Sequence, residues 1–275
     1  MAVTGSVEPT VVSQGTAARR QVVRTERIGT RNSLRLISIV LMLVIWQITS
    51  YFVKPLFLPS PISVAKSFAS LTAHGGLLSA TWESLEVFLM GFVIAAVIGV
   101  ALGIVFGLTP KIRDLSDVAL TIFWATPTVA LLPLLVIWFG LTTKTQVFIV
   151  FLSTFFPVVM ETTVAVEHVD PALVRVARAF GATQRERISH IILPYSIPYI
   201  VSGLRIAVGR AVIGVVVAEL FTSATGLGAK MTYYSNFFQT ANYFAALVMF
   251  VIFSLVLTEL ISLLERRYKT ARGVA

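Results

Sequence analysis

Apolar residues in this chain gather into long unbroken runs, with no strict alternation between two faces. Five runs, at 36–53, 87–109, 118–141, 145–166 and 241–264, are each long enough to cross a bilayer as a helix. A membrane-crossing strand needs only about half that length, so the runs predict helices. The first three contain no charge, the fourth only Glu161 and the last only Glu259. A sixth stretch, 199–222, is also apolar but holds Arg205, Arg210 and Glu219.

Parity decides the sixth stretch. Arg19, Arg20, Arg24, Arg27, Arg31 and Arg35 precede the first run, and Arg266, Arg267, Lys269 and Arg272 follow the last. Basic flanks face the cytoplasm. Both ends share that side only with an even number of crossings, so 199–222 is expected to cross. The expected fold is an all-α integral membrane protein with about six spans and both termini cytoplasmic. Residues 1–33 are expected to form a disordered cytoplasmic tail, 34–265 the membrane domain and 266–275 a second tail.

Composition agrees. Of 275 residues, 56% are hydrophobic and 13% charged, against about 25% charged in an ordinary soluble domain. A soluble globule and a largely disordered chain are both excluded. The net charge of +9 would suggest nucleic acid in a soluble protein, but here it reads as the topology signal. The absence of cysteine removes disulfides and thiol chemistry. In the second run Gly91, Ala95, Gly99, Gly103 and Gly107 form a small-residue stripe, either a packing seam or a sliding face. In the first outside loop, 54–84, the stretch 64–71 is expected to lie along the membrane surface.

The loop 167–198 has well-defined local chemistry. Asp170-Pro171 reads as an N-cap followed by a helix-starting proline. Leu173, Val176 and Phe180 recur at helical spacing, and Gly181 supplies a left-handed stop. Thr183 and Glu186 then form a capping box for a second helix, which Pro194 is expected to end, with Pro198 preceding the next span. Such a helix–turn–helix is either a connector or a rigid element for docking a soluble partner.

Gly181, nine residues, then Ile191-Ile192-Leu193-Pro194 resembles the EAA loop of ABC importer permeases, whose pattern is Glu-Ala-Ala, three residues, Gly, nine residues, Ile-x-Leu-Pro. The triplet falls on Arg175-Val176-Ala177, where only Ala177 matches, so the contact made by the missing glutamate is lost. Leu58-Pro59-Ser60-Pro61, the segment Thr126-Pro127-Thr128-Val129-Ala130-Leu131-Leu132-Pro133-Leu134, Trp138-Phe139-Gly140, Phe155-Phe156-Pro157 and Gly226-Leu227-Gly228 are similar to the nitrate, sulfonate and taurine branch. The resemblance implies a type I importer permease in the bacterial inner membrane, working as a dimer. It implies two ABC ATPase subunits that bind ATP and magnesium, and an external solute-binding protein. It also implies that Ala177, Arg178, Gly181, Ala182, Ile191, Leu193 and Pro194 meet the ATPase. This chain has no phosphate-binding loop of its own, so it is expected to be a non-catalytic subunit with no cofactor. The other reading of the spans, an ATP-independent transporter or channel, would favour an internal repeat, and none is visible.

Charges within spans mark partners or wet cavities. Arg205 or Arg210 is expected to pair with Glu161 or Glu259, as a brace or as an inner gate. Glu219 is expected to meet solute, the binding protein or Lys230. Pro127 and Pro133 should kink or unwind the third span, which makes Trp124, Thr126 and Pro127 candidate lining of the path.

Overall fold

The structure is a computed structural model that describes residues 33–34 and 36–271, and these are helical throughout apart from short connections. The expectation of disorder for the N-terminal tail lies outside the described residues, except at Ser33. The chain divides into two compact units between Ile62 and Ser63.

The first unit contains α1 (Leu36–Phe52), an apolar helix about 25 Å long at 1.5 Å per residue. Trp46 Nε1 near its end donates to the Pro59 carbonyl at 3.1 Å, which ties the Leu-Pro-Ser-Pro turn back to the helix.

The second unit holds the core. Its helices are α2, of which Ser63 onward belongs here (Pro61–Ala73 in full), α3 (Leu77–Leu108), α4 (Pro110–Ala125), α5 (Leu132–Phe139), α6 (Thr143–Glu167), α7 (Pro171–Ala179), α8 (Gln184–Arg187), α9 (Leu193–Thr222), α10 (Gly226–Asn236) and α11 (Thr240–Ala271). A 3-10 turn (Thr128–Leu131) joins α4 to α5, and a π turn (Ile188–Ile192) joins α8 to α9. Among the described residues four helices are long and apolar enough to cross a membrane. The pair Pro110–Ala125 and Thr128–Phe139, bent by 81°, is a fifth crossing if counted as one.

The small-residue stripe settles how α3 sits. A Cβ at Gly91 would stand 2.6 Å from Cβ of Val150, one at Gly99 2.9 Å from Val158, one at Gly103 2.5 Å from Thr162 and one at Gly107 2.6 Å from Val166. The stripe is therefore a packing seam against α6, and Thr163 Oγ1 adds a bond to the Gly103 carbonyl at 3.3 Å. The offset between partners is constant and both numbers rise together, so α3 and α6 run parallel. The intervening chain must return to the far end before α6 begins, which means that the bent α4–α5 segment traverses the full depth.

On the next seam Gly203 meets Glu161 and Gly214 meets Val150 and Ser153, so α9 runs antiparallel to α6. Buried Ala207, Val208, Ala211 and Val215 of α9 pack into the same core as Phe88, Phe92 and Phe253, with Phe88 and Phe253 edge-on at 6.0 Å.

One sequence expectation is met and two change. The run 118–141 is broken at its prolines, as expected, and is not one straight helix. Thr126, forced toward extended backbone by the following proline (φ −71°, ψ 120°), ends α4, and the chain restarts after Pro127. Pro194 does not end the loop's second helix: it sits in the first turn of α9, directly after the π turn. The wide π turn just before it absorbs the change in register, so residues Gln184–Thr222 form one continuous helical rod, with Pro198 inside it. Finally, α11 continues to Ala271, so residues 266–271 prolong the last span's helix.

Candidate functional site

The loop after α6 is built by local capping. Asp170 Oδ1 accepts from the Ala172 N–H at 2.7 Å and starts α7. At its other end the Gly181 N–H donates to the Arg178 carbonyl and the Ala182 N–H to the Ala177 carbonyl, each at 3.0 Å. Those two bonds make a Schellman stop, and Gly181 takes the left-handed φ of +80° that it requires. No atom lies within 4 Å of where a Gly181 side chain would start, so backbone conformation alone demands glycine. Thr183 and Glu186 complete a reciprocal capping box, with Thr183 N–H to Glu186 Oε2 at 2.7 Å and Glu186 N–H to Thr183 Oγ1 at 3.3 Å. The loop thus presents a fixed shape, and on α7 it leaves Leu173, Val176 and Phe180 exposed, the last by 88%. Ile191, Leu193 and Pro194 lie where the rod begins, each half-buried.

A cavity of about 190 Å³ opens beside the break between α4 and α5. The bend contributes Trp124, Thr126 and Thr128, α6 contributes Ser153, Phe156 and Pro157, and α9 contributes Arg210, Ile213, Gly214 and Val217. Pro127 is at the bend itself but does not line the space. Thr126 is held by its own cap, Oγ1 to the Ile122 carbonyl at 2.8 Å. A Cβ at Gly214 would sit 3.0 Å from Ser153 Oγ, so the glycine lets α9 close on α6 at the cavity floor.

Arg210 is the single charged side chain around this cavity among the described residues. The antiparallel register places it level with Thr154, at the middle of α6. It has no acidic partner among the described residues, which corrects the expected pairing with Glu161 or Glu259. Glu161 packs its Cβ on Gly203 but leaves its carboxylate exposed.

Arg205 pairs instead with Glu265, Nη1 to Oε2 at 3.1 Å, joining α9 to α11. The reason is that α11 does not stop at the end of its apolar run, so Glu265 remains on an inward helical face and is 5% exposed. Glu259 lies 3.6 Å from Arg266 on its own helix. At the same end Arg113 of α4 pairs with Glu167 of α6. These pairs gather at the end that carries Lys111, Arg175, Arg178, Arg185 and Arg187.

Glu219 is not among the residues that line this cavity and is fully buried. Its Oε2 accepts from Ser84 Oγ at 3.0 Å and from the Gly228 N–H at 2.8 Å. Ser84 Oγ in turn accepts from the Leu227 N–H at 3.0 Å, and Glu83 Oε2 from the Gly226 N–H at 2.8 Å. Side chains of α3 and α9 thereby bind the free amides at the start of α10. A Cβ at Gly226 (φ +89°) would collide with the Glu219 carboxylate. Lys230 avoids Glu219 and donates to the Gly75 carbonyl at 2.9 Å. Gln146 continues the network, with Nε2 donating to Thr222 Oγ1 at 2.9 Å and Oε1 accepting from Thr225 Oγ1 at 3.3 Å.

The chain is similar to known membrane proteins. The family described as binding-protein-dependent transport system inner membrane component matches residues 95–270. The chain belongs to this permease family. Among the permease's relatives, the taurine transport system permease protein of Escherichia coli (strain K12) is 31% identical over 240 residues, covering 85% of this chain and 87% of that protein. The nitrate import permease protein of a Synechocystis strain is 28% identical over 241 residues, 84% of each chain. Solved structures share the fold: an inward-facing methionine ABC transporter aligns with TM-score 0.59 at 20% identity, covering 71% of this chain and 95% of that one. An amino acid ABC transporter aligns with TM-score 0.59 at 19% identity, covering 73% and 98%. The protein is thus a multi-pass inner-membrane permease subunit of a binding-protein-dependent ABC importer.

Sequence reasoning expected Arg205 or Arg210 to be one half of an ion pair, as a brace or as an inner gate. The signal that would have placed Arg210 on the cavity wall is positional: 210, 213, 214 and 217 fall on one helical face, and all four line the cavity.

Proposed function

We propose that this permease passes a small anionic solute, and that Arg210 is the group that receives it. The observation that carries the reading is an unpaired arginine at membrane mid-depth on the wall of a cavity. A cation there is costly unless something neutralises it. An oxoanion of modest size supplies that charge, and the hydroxyls of Thr128 and Ser153 stand around the same space as donors. Trp124 and Phe156 supply apolar wall for an organic remainder. The names of the taurine and nitrate relatives fit an anionic group of this kind.

The remaining architecture follows the same reading. α1 is the sixth crossing, which puts both termini and the basic end in the cytoplasm. Two copies of the chain form the path, two ATPase subunits bind below, and the binding protein delivers solute from outside. The capped loop seats its exposed Leu173–Val176–Phe180 face in the ATPase, with Ala177, Arg178, Gly181 and Ala182 fixing the turn and Ile191, Leu193 and Pro194 passing motion into the rod. Arg210 is on that rod, so displacement of the loop reaches the solute-facing charge directly.

Proteoliposomes containing the permease, its ATPase and its binding protein test this. ATP-driven uptake of labelled taurine, an alkanesulfonate and nitrate should reveal one accepted anion. Arg210→Gln should reduce its uptake by about 10- to 100-fold, the loss expected for a charged hydrogen bond, with the ATPase still bound. Undiminished uptake in that variant would exclude the assignment.

A further inference from the structure

A second cavity, of about 410 Å³, lies on the outer surface of the α3–α6 seam and has a different character. Met90, Ile94 and Ile98 form one wall and Phe148 and Phe151 the other, with Lys144 as its single charged lining residue. Lys144 is the second residue of α6, is exposed, and has no ion-pair partner among the described residues. The parallel register places Ile98 level with Pro157, about 20 Å below Lys144 at 1.5 Å per residue. One leaflet of a bilayer core is about 15 Å deep. The groove therefore starts at a cation near the membrane surface and runs one leaflet inward along hydrocarbon side chains.

An opposite charge stands at the same level. Glu86 is one turn above Met90 on the stripe 86–90–94–98, and the register sets it beside the start of α6. Trp82 Nε1 donates to Glu86 Oε1 at 2.6 Å, and Trp82 is itself 61% exposed, as an aromatic residue at a membrane surface is.

We propose that this groove is a binding site for one amino-phospholipid in the leaflet opposite the basic end. One acyl chain lies between Ile94, Ile98 and Phe151, the phosphate meets Lys144, and the primary ammonium meets Glu86. A free phosphate would leave the groove unfilled, and a purely anionic head group would face Glu86 with like charge. The proposal does not depend on which solute is carried.

The test uses the permease–ATPase complex in mild detergent, observed by native mass spectrometry during titration with phosphatidylethanolamine and, separately, phosphatidylglycerol. Wild type should retain one phosphatidylethanolamine per permease chain in preference to phosphatidylglycerol. Lys144→Ala should lower retention about five-fold, the value of one lysine at an anionic lipid surface. Ile94→Trp, which fills the groove, should lower it at least as much, and Glu86→Gln should erase the preference between the two lipids. Equal retention by wild type and Ile94→Trp would overturn the site. So would efficient cross-linking of Ile98→Cys to another polypeptide, a clean experiment in a chain with no cysteine of its own, because protein would then cover the groove.

Discussion

The two ends of the helical bundle are held together by different chemistry. At the α10 end, Glu219, Ser84, Gln146 and Thr222 are almost wholly removed from solvent and bond across α3, α6, α9 and α10. At the basic end, Arg205–Glu265 and Arg113–Glu167 join helices through side chains that are a third to a half exposed, apart from the buried Glu265, and the more exposed Arg266–Glu259 pair lies within α11. Buried donors and acceptors are expensive to separate, whereas exposed ion pairs contribute little. The contrast describes a molecule fastened at one end and easily parted at the other, an asymmetry that suits the proposed seating of the ATPase at the weak end.

The largest effect should come from attacking the fastened end. Glu219→Leu strands the Ser84 hydroxyl and the Gly228 N–H in a buried site, a loss of about 2–6 kcal/mol for the two donors together. Thermal unfolding in detergent should show a large drop in Tm and poor recovery of protein. If Tm is unchanged, the buried network does not hold α10.

Next is Gly181→Val, which costs about 1–2 kcal/mol at a left-handed position and falls on the loop rather than the bundle. Tm should barely move while ATP-driven uptake falls and the ATPase washes off more readily. Gly181→Asn, which tolerates that conformation, should keep most of both. Equal behaviour of the two variants would mean that the turn's handedness is irrelevant to coupling.

The smallest effect should appear at the basic end. A double-mutant cycle on Arg205 and Glu265 should give a coupling of about 0.5 kcal/mol, because half of the arginine side chain is in contact with solvent. Added salt should shrink it further. A coupling of several kcal/mol would mean that the two ends are equally fastened, and the asymmetry would disappear.

Legibility in the sequence followed the range of the interactions. Asp170, Gly181, Thr183 and Glu186 act within a few residues of themselves, and their caps could be read directly. Thr126-Pro127 is equally local, so a break in the third span was visible, though its 81° bend was not. Pairings across helices were not visible. Arg205 finds Glu265 only because α11 outlasts its apolar run, and Glu219 is buried only because Gly226 and Gly228 let α10 approach. Hydropathy reports what a residue avoids, and it cannot report which distant neighbour excludes water from it. Pro194 misled for a related reason, since a stop signal and a first-turn signal are the same residue, and the π turn that separates them leaves no compositional trace.

That π turn has one more consequence. Because Gln184–Thr222 is a single rod, the loop and Arg210 share an angular phase as well as a line of thrust. One residue inserted between Ile197 and Ile200 would turn everything beyond it by about 100°. The capping box, the Schellman stop and the ATPase-facing surface would all remain intact, yet the arginine would point away from its cavity. If the loop seats in the ATPase and Arg210 meets the solute as proposed, the length of one helix, counted in residues, is part of the transport mechanism.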